Sequence, residues 1–253
     1  MMKKRFCLML LICTFITFIL PNPIYGERKT DHQLLSDTLI TLLYPAITEA
    51  IENYYGYSKA FDLFEAKILG ITRAQEGSFT FTVKVQVTTF KEAHNPPYGK
   101  ETIFLEVKPG KVRILTFIHK GDEYEKTIVR FYDKVISDIK DTFSLNLDAF
   151  KMFTYDQLLF KAEKQKDFQS LSSIVSDILK NEINPDIKTP YTPYKNVINP
   201  VTFIHGNQGY ILYKKANGTN YIVEISKSNH RWVAVNKQRK QGKKMRNELL
   251  WYM

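Results

Sequence analysis

Between Leu34 and Tyr55, Leu35, Leu39, Leu42, Leu43, Ile47, Ile51 and Tyr54 recur at helical spacing, and Gly56 follows as a C-cap candidate. The spacing predicts an amphipathic helix, kinked or restarted at Pro45 near Tyr44. Four strands are predicted next, over 62–73, 78–91, 101–108 and 111–119, with turns at Glu76-Gly77 and Pro109-Gly110. The second is the plainest: Phe79, Phe81, Val83, Val85 and Val87 alternate with Thr80, Thr82, Lys84, Gln86 and Thr88. That period of two gives one buried and one wet face. A second amphipathic helix runs from the N-cap candidate Asp122 to about Lys140, with Tyr124, Ile128, Phe131, Val135 and Ile139 on one side.

The second half opens with a long helical pattern from about Tyr155 to Ile183 whose centre, Glu163 to Asp167, is strongly charged. Pro185, Pro190, Pro193 and Pro200 then mark an extended crossover over 184–200. Gly209–Lys215 and Asn220–Ser226 flank Ala216-Asn217-Gly218-Thr219, and Asn-Gly between alternating runs is a strong hairpin signal. His230–Lys237 adds a third strand. The fold class is therefore α+β: a helix and a four-stranded antiparallel meander with a closing helix, then a second domain of helix plus antiparallel strands. The expected boundaries are 30–140 and 145–253.

The N-terminus changes the expected location. Met1-Met2-Lys3-Lys4-Arg5 is a positive start, followed by fifteen apolar or weakly polar residues from Phe6 to Leu20 and a break at Pro21-Asn22-Pro23. A bilayer span needs about twenty residues. Residues 1–26 thus read as a secretory signal peptide cut after Gly26, with an uncleaved membrane anchor as the alternative. Both cysteines, Cys7 and Cys13, lie inside this segment. The rest of the chain has no disulfide, thiolate metal site or cysteine nucleophile.

The stretch Val85-Gln-Val-Thr-Thr-Phe90-Lys-Glu-Ala-His94-Asn-Pro-Pro-Tyr98-Gly99-Lys-Glu-Thr-Ile103 resembles the signature of the domain of unknown function 3888. That family comprises small secreted proteins of Gram-positive spore formers. The likeness extends to Leu34–Gly56, with Leu-Leu-Tyr-Pro and Tyr-Tyr-Gly, to Lys67-Ile-Leu-Gly-Ile-Thr-Arg73 and to Phe117-Ile-His119. It covers roughly residues 30–120. It implies export and a shared domain, implies no activity, and leaves residues 145–253 outside it.

Chemistry has few candidates. The chain lacks His-Glu-x-x-His, Gly-x-Ser-x-Gly and a phosphate-cradling glycine loop. His32, His94, His119, His205 and His230 are scattered, so no metal and no cofactor is expected. Asp122, Glu123 and Glu125 are close in sequence, but they open a predicted helix, where acids favour the positive end of its dipole.

Two segments stand out for recognition. The loop His94-Asn95-Pro96-Pro97-Tyr98-Gly99 is stiffened by consecutive prolines and offers His94, Asn95 and Tyr98 as binding groups; as a wide turn it would only position its strands. Lys237, Arg239, Lys240, Lys243, Lys244 and Arg246 form a basic run before Leu249-Leu250-Trp251-Tyr252-Met253. Solvated surface and a seat on an anionic surface are its two readings.

Net charge is +10, to which Lys3, Lys4 and Arg5 contribute. For an exported protein this ranks anionic wall polymer, an anionic membrane surface or another exported protein as partners, with no nucleic acid expected. A non-enzymatic binding module is the leading expectation. The alternative is an envelope-acting hydrolase or transferase whose site forms only in three dimensions. In that case at least two of His94, His119, Glu123, Asp122 and Glu106 should converge in one pocket.

Overall fold

The computed structural model describes residues 31–91, 94–183 and 198–245. Two compact units divide the chain between Leu39 and Ile40. The N-terminal stretch expected to be a signal peptide, the proline-rich crossover up to Val197, and the chain from Arg246 onward lie outside the described residues.

Helix α1 (Asp31–Tyr55) runs unbroken through Pro45, so the expected kink does not divide it. By length and composition it is apolar enough to cross a membrane, with a mean hydropathy of 1.3 in its most apolar stretch. From Ile40 onward, however, Ile40, Leu43, Ile47, Ala50 and Ile51 form a buried stripe at helical spacing. Gly56, at φ 74°, ends the helix with its N–H on the Glu52 carbonyl at 2.8 Å, the left-handed cap that glycine adopts without a Cβ penalty.

The first sheet is an antiparallel meander of β1 (Phe61–Arg73), β2 (Phe81–Lys91), β3 (Asn95–Lys108) and β4 (Lys111–Gly121) in sequential order. Val83, Val85 and Val87 on β2 and Ile103 and Leu105 on β3 are buried on one face. The helix meets that face through Tyr44 on Phe61, Tyr54 on Phe117 and Tyr55 on Thr89 and Glu101. Each fully buried aliphatic side chain there contributes about 1.5–3 kcal/mol. The other face carries Thr82, Lys84, Gln86 and Thr88, all half-buried.

Helix α2 (Glu123–Phe143) starts on Asp122, whose carboxylate accepts the Glu125 N–H at 2.7 Å. Its buried face was expected to close the first sheet. Phe131, Val135 and Ile139 instead share a core with Leu147, Val201, Phe203, Leu212 and Ile222 of the second half. One helix therefore starts at the first sheet and builds the core of the next.

The second sheet is antiparallel, in the order β5 (Lys151–Phe153), β6 (Val201–His205), β7 (Gln208–Lys214), β8 (Thr219–Ser228), β9 (Arg231–Gln241). Strands β5 and β6 were not among the expected strands, and β9 runs four residues past Lys237. The single long helix expected over 155–183 is divided into α3 (Tyr155–Lys164), a 3-10 turn (Lys166–Phe168), α4 (Gln169–Ile178) and a π turn (Leu179–Ile183). The break falls in the charged centre, where Gln165 is extended and Asp167 pairs with Lys227 at 2.6 Å. Without apolar side chains to bury, that stretch has little packing to keep it helical. Thr154 and Gln157 form a reciprocal capping box that starts α3.

On the other face of the sheet, Leu158, Leu171, Val175 and Ile178 pack on Ile211, Tyr213, Tyr221, Val223, Ile225 and Trp232.

Candidate functional site

The alternation that buries Val83, Val85 and Val87 continues to Thr89, and the one that buries Leu105 and Ile103 continues to Glu101 and Gly99. The apolar face thus turns polar at one end. Register places Val87 opposite Glu101, Glu101 opposite His119, and Gly99 between Thr89 and Gly121. The last residue of α1, Tyr55, reaches down onto this end.

Glu101 has no exposed surface. Its Oε1 accepts from the Tyr55 phenol at 2.5 Å and from Thr89 Oγ1 at 2.8 Å. His119 Nδ1 lies 3.0 and 3.1 Å from the two Glu101 oxygens, and His119 Nε2 lies 2.8 Å from Glu125 Oε2. A neutral imidazole has one N–H. Donation to both carboxylates therefore requires the imidazolium, or a proton on one of the acids. The network offsets the cost of burying Glu101 with bonds to both of its oxygens.

Two glycines make the arrangement possible. A Cβ at Gly99 would collide with Glu101 Oε1 and Thr89 Oγ1 and lie 2.8 Å from the Tyr55 oxygen. A Cβ at Gly121 would fall onto the Glu125 carboxylate and lie 3.2 Å from His119 Nε2. Neither glycine is needed for a left-handed turn; both are needed for space.

Aromatic rings and an ammonium surround the network. Tyr54 stacks on Phe117 at 4.6 Å, lies 5.2 Å from the His119 ring, and is half exposed. Burial pushes the Tyr55 phenol far above its ordinary range, and its bond to Glu101 adds to this. Lys59 is 9% exposed, with its Nζ 4.1 Å over the Tyr55 ring. Burial pulls its ammonium below the usual range, while Glu125 and Glu101 oppose that shift. Among the described residues Lys59 has no hydrogen-bonding or ion-pairing partner.

Of the five groups expected to converge if the protein is an enzyme, His119 sits in the network and Asp122 borders it as the cap that holds Glu125. Glu123 is exposed and paired with Lys126, and Glu106 lies with Lys108 and Arg113. His94, at φ 59°, stacks on Phe90 at 4.0 Å. Asn95 opens β3 opposite Lys91, and the following Pro96–Pro97 bond is cis. Tyr98 exchanges backbone bonds with Asp122: its N–H donates to the carboxylate at 3.0 Å and its carbonyl accepts the Asp122 N–H at 3.0 Å. The phenol of Tyr98 donates to the His94 carbonyl. The loop is thus tied beside the network, with Tyr98 still 38% exposed.

Tyr55, Lys59, Thr89 and Glu101 escaped the sequence reading, and Glu125 was read only as a helix-dipole acid. The available signal was Glu101 itself, a carboxylate at an inward position of an apolar alternation.

The basic run is divided by its strand. Lys237 and Arg239 pair across from Val223 and Tyr221, the face packed by α4, whereas Lys240 pairs across from Asn220 on the α2 side. Lys237 binds both oxygens of Glu182 at 2.6 Å and lies over the Tyr213 and Tyr221 rings. Lys240 reaches the Thr142 carbonyl and the Phe143 ring. Arg239, Lys243 and Lys244 are exposed, and among the described residues their side chains have no partner. Arg246 lies outside the described residues.

Two clefts lie away from the histidine network. One of about 470 Å³ is lined by Asp133, Ile136, Lys140, Asp148, Met152 and Phe203; the other, of about 410 Å³, by Ile174, Ile178, Glu182, Val235 and Lys237. Among the described residues, no group of three or more His, Asp or Glu side chains is placed to hold a metal ion.

No curated protein and no solved structure matches the chain. Residues 35–120, from α1 to the penultimate residue of β4, match the model of a family described as protein of unknown function, DUF3888, and this segment carries that domain.

Proposed function

We propose that the protein is an exported, non-enzymatic binding module that holds an anionic component of the cell envelope against Arg239, Lys243 and Lys244. The observation that carries this reading is how two of these cations, Lys243 and Lys244, are mounted. The Lys243 N–H donates to the Asp138 carboxylate at 3.1 Å, and Met245 two residues on is buried in the core around α2. The segment after β9 is therefore fixed at both ends of the Lys243-Lys244 pair, while the two side chains remain exposed. Cations presented on fixed backbone lose less entropy on binding than those of a free tail.

The rival reading, a hydrolase or transferase, draws on the convergence of Glu101, His119 and Glu125. Both imidazole nitrogens are engaged, however, and Glu101 is sealed. A proton could be passed to a substrate only after Glu125 moved away, and neither cleft reaches the network.

Co-sedimentation with anionic vesicles, and separately with purified wall polymer, at low and high salt tests the proposal. Each cation near an anionic surface contributes about 1 kcal/mol, so changing Arg239, Lys243 and Lys244 to Gln should weaken low-salt binding roughly a hundredfold. High salt should reduce the difference. Equal binding by both proteins at low salt would end this reading. The two arms identify lipid or polymer as the source of the negative charge.

A further inference from the structure

The polar end of the first sheet holds groups that its internal bonds leave unused. Lys59 has three N–H donors and, among the described residues, no acceptor for any of them, although it is nine-tenths buried. Glu125 and then Glu101 are the carboxylates that act most on its charge, yet neither is within ion-pair distance of it. Glu125 gives Oε2 to His119 at 2.8 Å, and its Oε1 has no partner among the described residues. An ammonium with open donors and a carboxylate with an open acceptor thus belong to one cluster, joined through Tyr55 and His119, without pairing with each other.

Open donors on Lys59 beside an open acceptor on Glu125 suit a ligand that both accepts and donates hydrogen bonds, which neither a simple anion nor a simple cation does. At the same end stands Tyr54, half exposed, with one ring face on Phe117. A neutral ligand with neighbouring hydroxyls matches this set: the oxygens accept from Lys59, one O–H donates to Glu125, and an apolar ring face lies on Tyr54. We infer that the end of the first sheet formed by Tyr54, Lys59, His119 and Glu125 is a binding site for a neutral saccharide. This site is separate from the cations of β9, and it stands or falls independently of them.

The test is a titration of the full chain, followed by NMR of the His119 imidazole and the tyrosine rings. The probes are a neutral N-acetylglucosamine oligomer, a neutral glucan oligomer and glycerol. Saturable shifts at His119 and Tyr54 with at least one oligomer, and none with glycerol, are expected. Lys59→Met keeps the aliphatic stem and removes the donors, so it should weaken that binding roughly tenfold or more. The same variant should melt no lower than the parent, because the ammonium it removes has no hydrogen-bonding or ion-pairing partner among the described residues and the methionine chain can still pack on the Tyr55 ring. Shifts absent with every oligomer, or oligomer binding by Lys59→Met equal to that of the parent, would overturn the inference. Glu125→Gln provides a second reading: it retains an acceptor oxygen and should leave weaker but measurable binding.

Discussion

Gly121 shows how a missing atom sets the geometry of the network. Its backbone is not left-handed, so alanine is tolerated there by conformation but not by space: the added Cβ would occupy the position of the Glu125 carboxylate. Gly121→Ala should therefore push Glu125 off His119 Nε2 and cost about 1–3 kcal/mol, the usual range for overpacking a closed site. Urea unfolding gives the cost, and the imidazole NMR signals show whether Nε2 has lost its partner. An unchanged His119 spectrum would mean that Glu125 has another place to go. Little of this was legible in the sequence. The alternation marks Glu101 and Thr89 as inward-facing, but it does not reveal that Tyr55 and Glu125, from two different helices, meet the same carboxylate–imidazole pair. Such contacts depend on how helices sit on a sheet, which a period of two or 3.6 does not encode.

Elements with a long period were legible and short ones were not. Helices α1 and α2, the four-stranded meander and the hairpin around Asn217-Gly218 follow from spacing, caps and turn residues. Strand β5, with three residues, and β6, with five, are too short to show alternation. Nor can a charge run show that strand β9 sends Lys237 to Glu182 and Lys240 to Thr142 on opposite faces. The sequence also does not show which core an amphipathic helix joins. The apolar stripe of α2 fits a helix lying on the first sheet, yet Ile139 is fully buried in the core of the second. Ile139→Ala should cost about 2–5 kcal/mol by leaving a cavity. Because Glu125 at the start of the same helix holds His119, the loss should appear in both sheets. Hydrogen exchange at β8 and the His119 signal during urea unfolding should shift together. A shift confined to β8 would show that the two sheets unfold as separate domains with a boundary near residue 140.

At the scale of the whole molecule, ionic pairs, the Lys214–Asp138 one buried, tie distant parts of the chain together, and their titration contributes to the pH limits of the fold. Lys214, 2% exposed, donates to Asp138 on α2 and to Asn220 on β8, and Asp138 also accepts from Asn220 and from the Lys243 backbone. Burial alone would raise the Asp138 carboxyl, but the bonds from Lys214, Asn220 and Lys243 outweigh it and hold the group below its ordinary range. Glu182 follows the same pattern: burial raises it, and Lys237 and Tyr213 bring it down further than burial lifts it. A depressed carboxyl adds stability that is present above its unfolded value, near 3.8 for Asp138 and 4.5 for Glu182, and that disappears as pH falls through the lower folded value. The phenols set the opposite limit. Tyr55 and Tyr213 are pushed up, first by burial and then by Glu101 and Glu182, so their contribution is present below the ordinary value of 10.0 and is lost above it. Through these groups the urea midpoint should fall as pH drops below about 4.5 and fall again above about 10. The acid limb should belong to the second sheet. Asp138→Asn should lower the midpoint at neutral pH, because Lys214 then lies buried without its carboxylate, and should flatten the acid limb. An acid limb of unchanged steepness in Asp138→Asn would place the acid sensitivity elsewhere, and Glu182→Gln would then be the next variant to measure.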